Sequence, residues 1–88
     1  MLLAVDIGNT NIVFGCADED DKIVFFERIS TNHNATTAEY AVLIKTLLEM
    51  NGYKVDDVSD AILSSVVPSV TTTVVQAIKK LFHTDVMI

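Results

Sequence analysis

One cysteine, one proline, three glycines and no tryptophan stand among the 88 residues. A single cysteine excludes a disulfide framework, and an apolar fraction of 50% excludes intrinsic disorder. Basic side chains are few, six against twelve acidic ones for a net charge of −6, and only Lys79 and Lys80 are adjacent. Nucleic acid and anionic membrane are therefore poor partners on charge grounds. The longest uncharged run, Ala61 to Ile78, is interrupted by Ser64, Ser65, Pro68 and Thr71-Thr72-Thr73, so it does not read as a membrane span. Met1 leads into Leu2-Leu3-Ala4-Val5-Asp6 without a basic segment, which predicts no signal peptide and a cytoplasmic location. A chain this short buries only about 60–65% of the surface it exposes when unfolded, enough for one small domain of modest stability. With so little positive charge, an anionic ligand would have to be held by backbone amides or through a bridging metal.

Hydrophobic periodicity orders the elements. Leu2 to Ile7 is a short apolar run ahead of Gly8-Asn9-Thr10-Asn11, the pattern of a buried strand and a turn. Asn11 to Ala17 predicts a second strand with Ile12, Phe14 and Cys16 on one face. Val13, Gly15 and Ala17 fall on the other, and such small residues imply close packing by another element. Asp18 to Asp21 is a solvated turn, and Lys22 to Ser30 a third strand, so short connections make an antiparallel meander. The period then changes. Thr36 and Glu39 have capping-box spacing, Tyr40, Leu43, Ile44, Leu47 and Met50 follow on one helical face, and Asn51-Gly52 closes a helix over roughly residues 36–51. Asp60 to Val67 predicts a fourth strand. Pro68 opens a second helix with Ser69 as a cap, and its apolar face is Val74, Val75, Ile78, Leu81 and Phe82. Asp85 to Ile88 reads as a fifth strand. The order βββαβαβ calls for an α/β fold, a mixed sheet with helices on its faces.

Asp6 is the anomalous residue, because an ionised carboxylate in an apolar strand is costly to bury unless paired, hydrogen-bonded or facing a metal. It immediately precedes a turn able to present several backbone amides to phosphate oxygens, and a carboxylate beside such a turn suits a nucleotide with Mg²⁺. The glycine spacing is neither that of a Walker A loop nor that of a dinucleotide-binding fingerprint. A plain hairpin, with Asp6 and Asn9 bonded to their own backbone, explains the same string. Cys16 alternates with Ile12 and Phe14 and reads as an inert buried thiol. His33 and His83 lack a second ligand at helical spacing, and Asp56, Asp57 and Asp60 read as surface charge. Ser64 and Ser65 end a strand where open sheets bind ligands, although turn and cap roles also suit them.

The run from Met1 to Gly15, with Asp6-Ile7-Gly8-Asn9-Thr10-Asn11 at its centre, resembles the opening of type III pantothenate kinases, in the actin-like, sugar-kinase-like ATPase superfamily. Arg28-Ile29-Ser30-Thr31 with Thr36 and Glu39-Tyr40-Ala41 resembles the family's second conserved stretch, and Ser64-Ser65-Val66-Val67-Pro68 with Val70-Thr71 its third. Ala38 departs from the pattern, which usually has an acidic residue there, and puts a local cap in question. The resemblance implies a ribonuclease-H-like first domain, here incomplete, with residues 1–88 as an N-terminal subdomain and a second domain absent. It implies transfer of the ATP γ-phosphate to pantothenate in coenzyme A synthesis, with Mg²⁺, a monovalent cation (K⁺ or NH₄⁺) and a homodimer. The ATP-binding residues it implies are Asp6, Ile7, Gly8, Asn9, Thr10, Asn11, Ile12 and Val13, with Asp6 organising the metal. The general base is expected after Ile88, so these residues alone are expected to be inactive. A non-catalytic transcriptional accessory relative on the same fold, or an ATP-binding module of another small-molecule kinase, are the alternatives.

Overall fold

Alternating side chains are realised in a five-stranded sheet of order β3-β2-β1-β4-β5, in a computed structural model that describes Met1–Ile88. The strands are β1 Leu2–Ile7, β2 Asn11–Ala17, β3 Ile23–Ser30, β4 Asp60–Ser65 and β5 Val86–Met87. The helices are α1 Thr37–Met50 and α2 Pro68–Phe82, with a 3-10 turn at Val55–Asp57 that the sequence reading did not anticipate. Strands β1, β2 and β3 form the expected antiparallel meander, and β4 and β5 add in parallel beyond β1. The sheet is therefore mixed, with its first strand at the centre.

Both helices pack on one face, not one on each. Leu3, Val5, Ile7, Ile12, Phe14 and Leu63 point from the strands into one continuous core with Tyr40, Ile44 and Leu48 of α1 and Val74 and Ile78 of α2. The opposite face carries Ala4, Val13, Gly15, Ala17, Phe26 and Ile62 with no element over it, and it forms a shallow concavity of about 560 Å³. The close packing expected over Gly15 comes from the sheet itself. A Cβ there would meet the Phe26 ring of the neighbouring strand at 3.1 Å.

The helix ends follow local chemistry. Thr36 Oγ1 accepts from the Glu39 amide at 3.2 Å while Glu39 Oε1 accepts from the Thr36 amide at 2.9 Å, so the capping box forms in full despite Ala38. Gly52, at φ +84°, takes the left-handed residue after α1. The buried stripe of α1 includes Ala41 and Leu48 and leaves Met50 72% exposed, because the 3.6-residue period rotates Met50 beyond the edge of the stripe. Ser69 is not the cap of α2. Pro68, which has no amide to satisfy, takes the first helical position, and Val67 precedes the helix without a side-chain cap. β4 stops at Ser65, two residues early, since Ser65 Oγ accepts the Val67 amide at 3.0 Å and turns the chain into α2.

Candidate functional site

The carboxyl end of β1 lies between a hairpin and a parallel neighbour. On one side Ile7 pairs with Ile12 and Asp6 with Val13 across the antiparallel ladder. On the other, Asp6 stands level with Ser64 of β4. Because β1 is buried on one face only, Asp6 projects from the open face and is exposed. The desolvation cost that singled it out in the sequence is therefore not incurred, and its interest rests on position. Ser64 Oγ donates to Asp6 Oδ1 at 3.0 Å, which orients the carboxylate across the sheet and leaves Oδ2 available. Asp6 does not fold back on its own turn as the plain-hairpin reading required.

The turn itself is unusual. Gly8 donates to the Asn11 carbonyl at 2.9 Å, so the Gly8 amide is consumed within the hairpin. The return bond from the Asn11 amide to the Gly8 carbonyl is not made. No residue of the turn has positive φ, so it is neither of the primed two-residue turns nor an alternating right- and left-handed nest. Unprimed turns splay the two strands, which accounts for the missing second bond. The amides of Asn9 and Thr10 donate to no group of the chain. Gly8 must stay small, because a Cβ there would meet the Asn11 carbonyl oxygen at 3.1 Å.

Of the eight residues singled out in the sequence, Asp6, Gly8, Asn9, Thr10, Asn11 and Val13 cluster around this end of the sheet. Ile7 and Ile12 are 1% and 0% exposed, so their side chains belong to the core and only their backbone serves the turn. Three further residues touch the cluster without having been assigned to it: Ser64, Thr31 and His33. Ser64 carried a signal in its place at the end of a parallel strand. For Thr31, 23 positions from Gly8, no periodicity could have announced the contact.

A divalent cation fits Asp6 in one particular way. No three His, Cys, Asp or Glu side chains converge anywhere in the chain, so an ion here would complete its shell with water and ligand oxygens. That is the habit of Mg²⁺, which binds through one or two carboxylates plus phosphates. Cys16 takes no part. It is fully buried on the helix side, and burial pushes its thiol up to about 11.

The family model described as type III pantothenate kinase matches residues 2–88. The type III pantothenate kinase of Bifidobacterium adolescentis is 47% identical over 88 residues, covering 100% of this chain and 34% of that protein. Its counterpart in Finegoldia magna is 46% identical over 80 residues, covering 91% and 30% respectively. The chain spans about a third of the length of the curated relatives it matches. Among solved structures, the activator of 2-hydroxyisocaproyl-CoA dehydratase from Clostridium difficile with bound ADPNP superposes with a TM-score of 0.58 over 99% of this chain and 53% of that one. At 9% identity that likeness shows the fold alone, an α/β unit built on a mixed sheet.

Proposed function

The chain belongs to the type III pantothenate kinase family, and we propose that it supplies the first phosphate-binding segment of an ATP-dependent pantothenate kinase. In the whole protein the bond between the γ-phosphorus and its bridging oxygen breaks, a bond to the primary hydroxyl of pantothenate forms, and ADP leaves. The hydroxyl proton goes to a base contributed by the segment after Ile88. Residues 1–88 act as the N-terminal ribonuclease-H-like subdomain of that longer, cytoplasmic enzyme.

The observation that carries this reading is an exposed carboxylate, oriented by a serine, beside a turn whose Asn9 and Thr10 amides have no partner in the chain. Phosphoryl transfer needs positioning and charge neutralisation more than covalent chemistry. The two amides would take a phosphate oxygen, Gly8 would let the backbone approach, and Val13 would wall the site next to Asp6. Asp6 would hold Mg²⁺ or its waters through Oδ2, with Ser64 fixing the other oxygen. Mg²⁺ neutralises the phosphates when bound. A monovalent cation (K⁺ or NH₄⁺) and a homodimer complete the reading, both served by residues outside this chain.

The test is Asp6→Asn in the full-length protein, with phosphorylation of pantothenate followed by coupled ADP release. Turnover should fall by about a hundredfold or more, and Ser64→Ala, which loosens the same carboxylate, by about tenfold. Unaltered turnover with Asp6→Asn would remove Asp6 from the metal site.

A further inference from the structure

Three consecutive carbonyls of the β1–β2 turn are all engaged by one loop. Thr31 Oγ1 donates to the Gly8 carbonyl at 2.7 Å. His33 Nε2 lies 3.0 Å from the Asn9 carbonyl, which can only accept, so the ring donates. The Thr31 amide donates to the Thr10 carbonyl at 2.8 Å. In a trans peptide the C=O of one residue and the N–H of the next lie in one plane and point in opposite directions, and every peptide of this chain is trans. A contact that pins the Gly8 carbonyl therefore aims the Asn9 amide the other way. Pinning the Asn9 carbonyl aims the Thr10 amide, and pinning the Thr10 carbonyl fixes the peptide that ends in Asn11.

The loop is itself braced. The Tyr40 hydroxyl, on a side chain only 2% exposed, donates to the Asn32 carbonyl at 2.8 Å and accepts from the Asn32 amide at 3.1 Å. Asn32 lies between the two clamping residues, and its Oδ1 accepts from the Asn34 amide at 2.9 Å. Helix α1 thus holds the loop, and the loop holds the turn.

We infer that Thr31 and His33 are positioning residues for the nucleotide, a carbonyl clamp that points the Asn9 and Thr10 amides at a phosphate. The inference rests on the phosphate-binding reading of the turn. Donors fixed in advance stabilise an anion without reorganising when it arrives, and carbonyls tied back on the far side no longer repel it. Thr31 and His33 do not touch the nucleotide. They act through the backbone.

The experiment titrates the full-length protein with the nonhydrolysable ATP analogue ADPNP and Mg²⁺, alongside thermal midpoints and amide NMR spectra. Thr31→Val should weaken binding about five- to tenfold and His33→Ala about threefold, the loss of one hydrogen bond each. Thr31→Ser, which keeps the hydroxyl, should stay within about twofold of the parent. The amides should respond one to one, with Thr31→Val displacing the Asn9 signal most and His33→Ala the Thr10 signal. The clamp is refuted if Thr31→Val and His33→Ala bind as the parent does while Asp6→Asn does not, an outcome that leaves the phosphate-binding reading standing. It is also refuted if Thr31→Val and Thr31→Ser weaken binding alike in step with a lowered thermal midpoint. Should Thr31→Val fail to fold, His33→Ala at its exposed site decides by the same criterion. Unchanged binding with Asp6→Asn and both clamp variants would overturn the underlying reading, and the clamp with it.

Discussion

On the helix side of the sheet, Leu3, Val5, Ile7, Ile12, Phe14 and Leu63 are each 3% exposed or less. Their immediate neighbours in sequence, on the other side, are Ala4, Asp6, Val13, Gly15 and Ser64. One side is built of large side chains that interlock with two helices. The opposite side combines small residues with the exposed Phe26 ring in a shallow concavity, and Asp6 and Ser64 stand on it at the carboxyl ends of β1 and β4. A period of two lets adjacent residues serve different ends, cohesion on one surface and the exposed groups of the candidate site on the other. Mutations that strengthen the core therefore need not disturb the site, although the two are one residue apart.

The contrast is strongest at the two phenylalanines. Phe14→Ala should cost about 3–5 kcal/mol in denaturant unfolding, by loss of buried surface and creation of a cavity. Phe26→Ala, on a ring 65% exposed, should cost less than about 1 kcal/mol. Equal losses would erase the distinction between the faces. A middle effect is expected at Thr36→Ala, which removes the cap of the helix that covers the core and should cost about 1 kcal/mol. The smallest is a matter of pH. The hydrogen bond from the Thr36 amide, then that from the Thr36 side chain, holds the Glu39 carboxyl below its ordinary value of 4.5. Its folded-state value being the lower one, the stability it contributes is present above that ordinary value and is lost as the pH falls through the folded value. Glu39→Gln should flatten this part of the acid limb in a pH series of unfolding midpoints, and an unchanged slope would show that the cap is not coupled to folding.

Much of this was legible in the sequence because the governing forces are local. Alternation fixed which residues of β1 and β2 face inward, the capping box fixed the start of α1, and the apolar-then-polar break after Ile7 fixed the turn. What escaped depends on distant partners. Periodicity says that a helix has an apolar face but not which side of the sheet receives it, so both helices falling on one side was out of reach. The same holds for Ser64 on Asp6 and for the clamp of Thr31 and His33, which are made by strand order and not by spacing. Asp6 stands out in the sequence as a charge in an apolar strand, whereas that strand is buried on one face only and Asp6 lies on the other.

The bond between Ser64 and Asp6 joins positions 58 residues apart, while the turn beside it closes across four residues from Gly8 to Asn11. Short loops close early and at little entropic cost, and parallel pairing across a long separation comes late. On these grounds the hairpin is expected to close before β4 arrives to steady the acid. Until β4 docks, the Asp6 carboxylate has no Ser64 hydroxyl to orient it, so the pairing of β1 with β4 and the orientation of that acid are the same event.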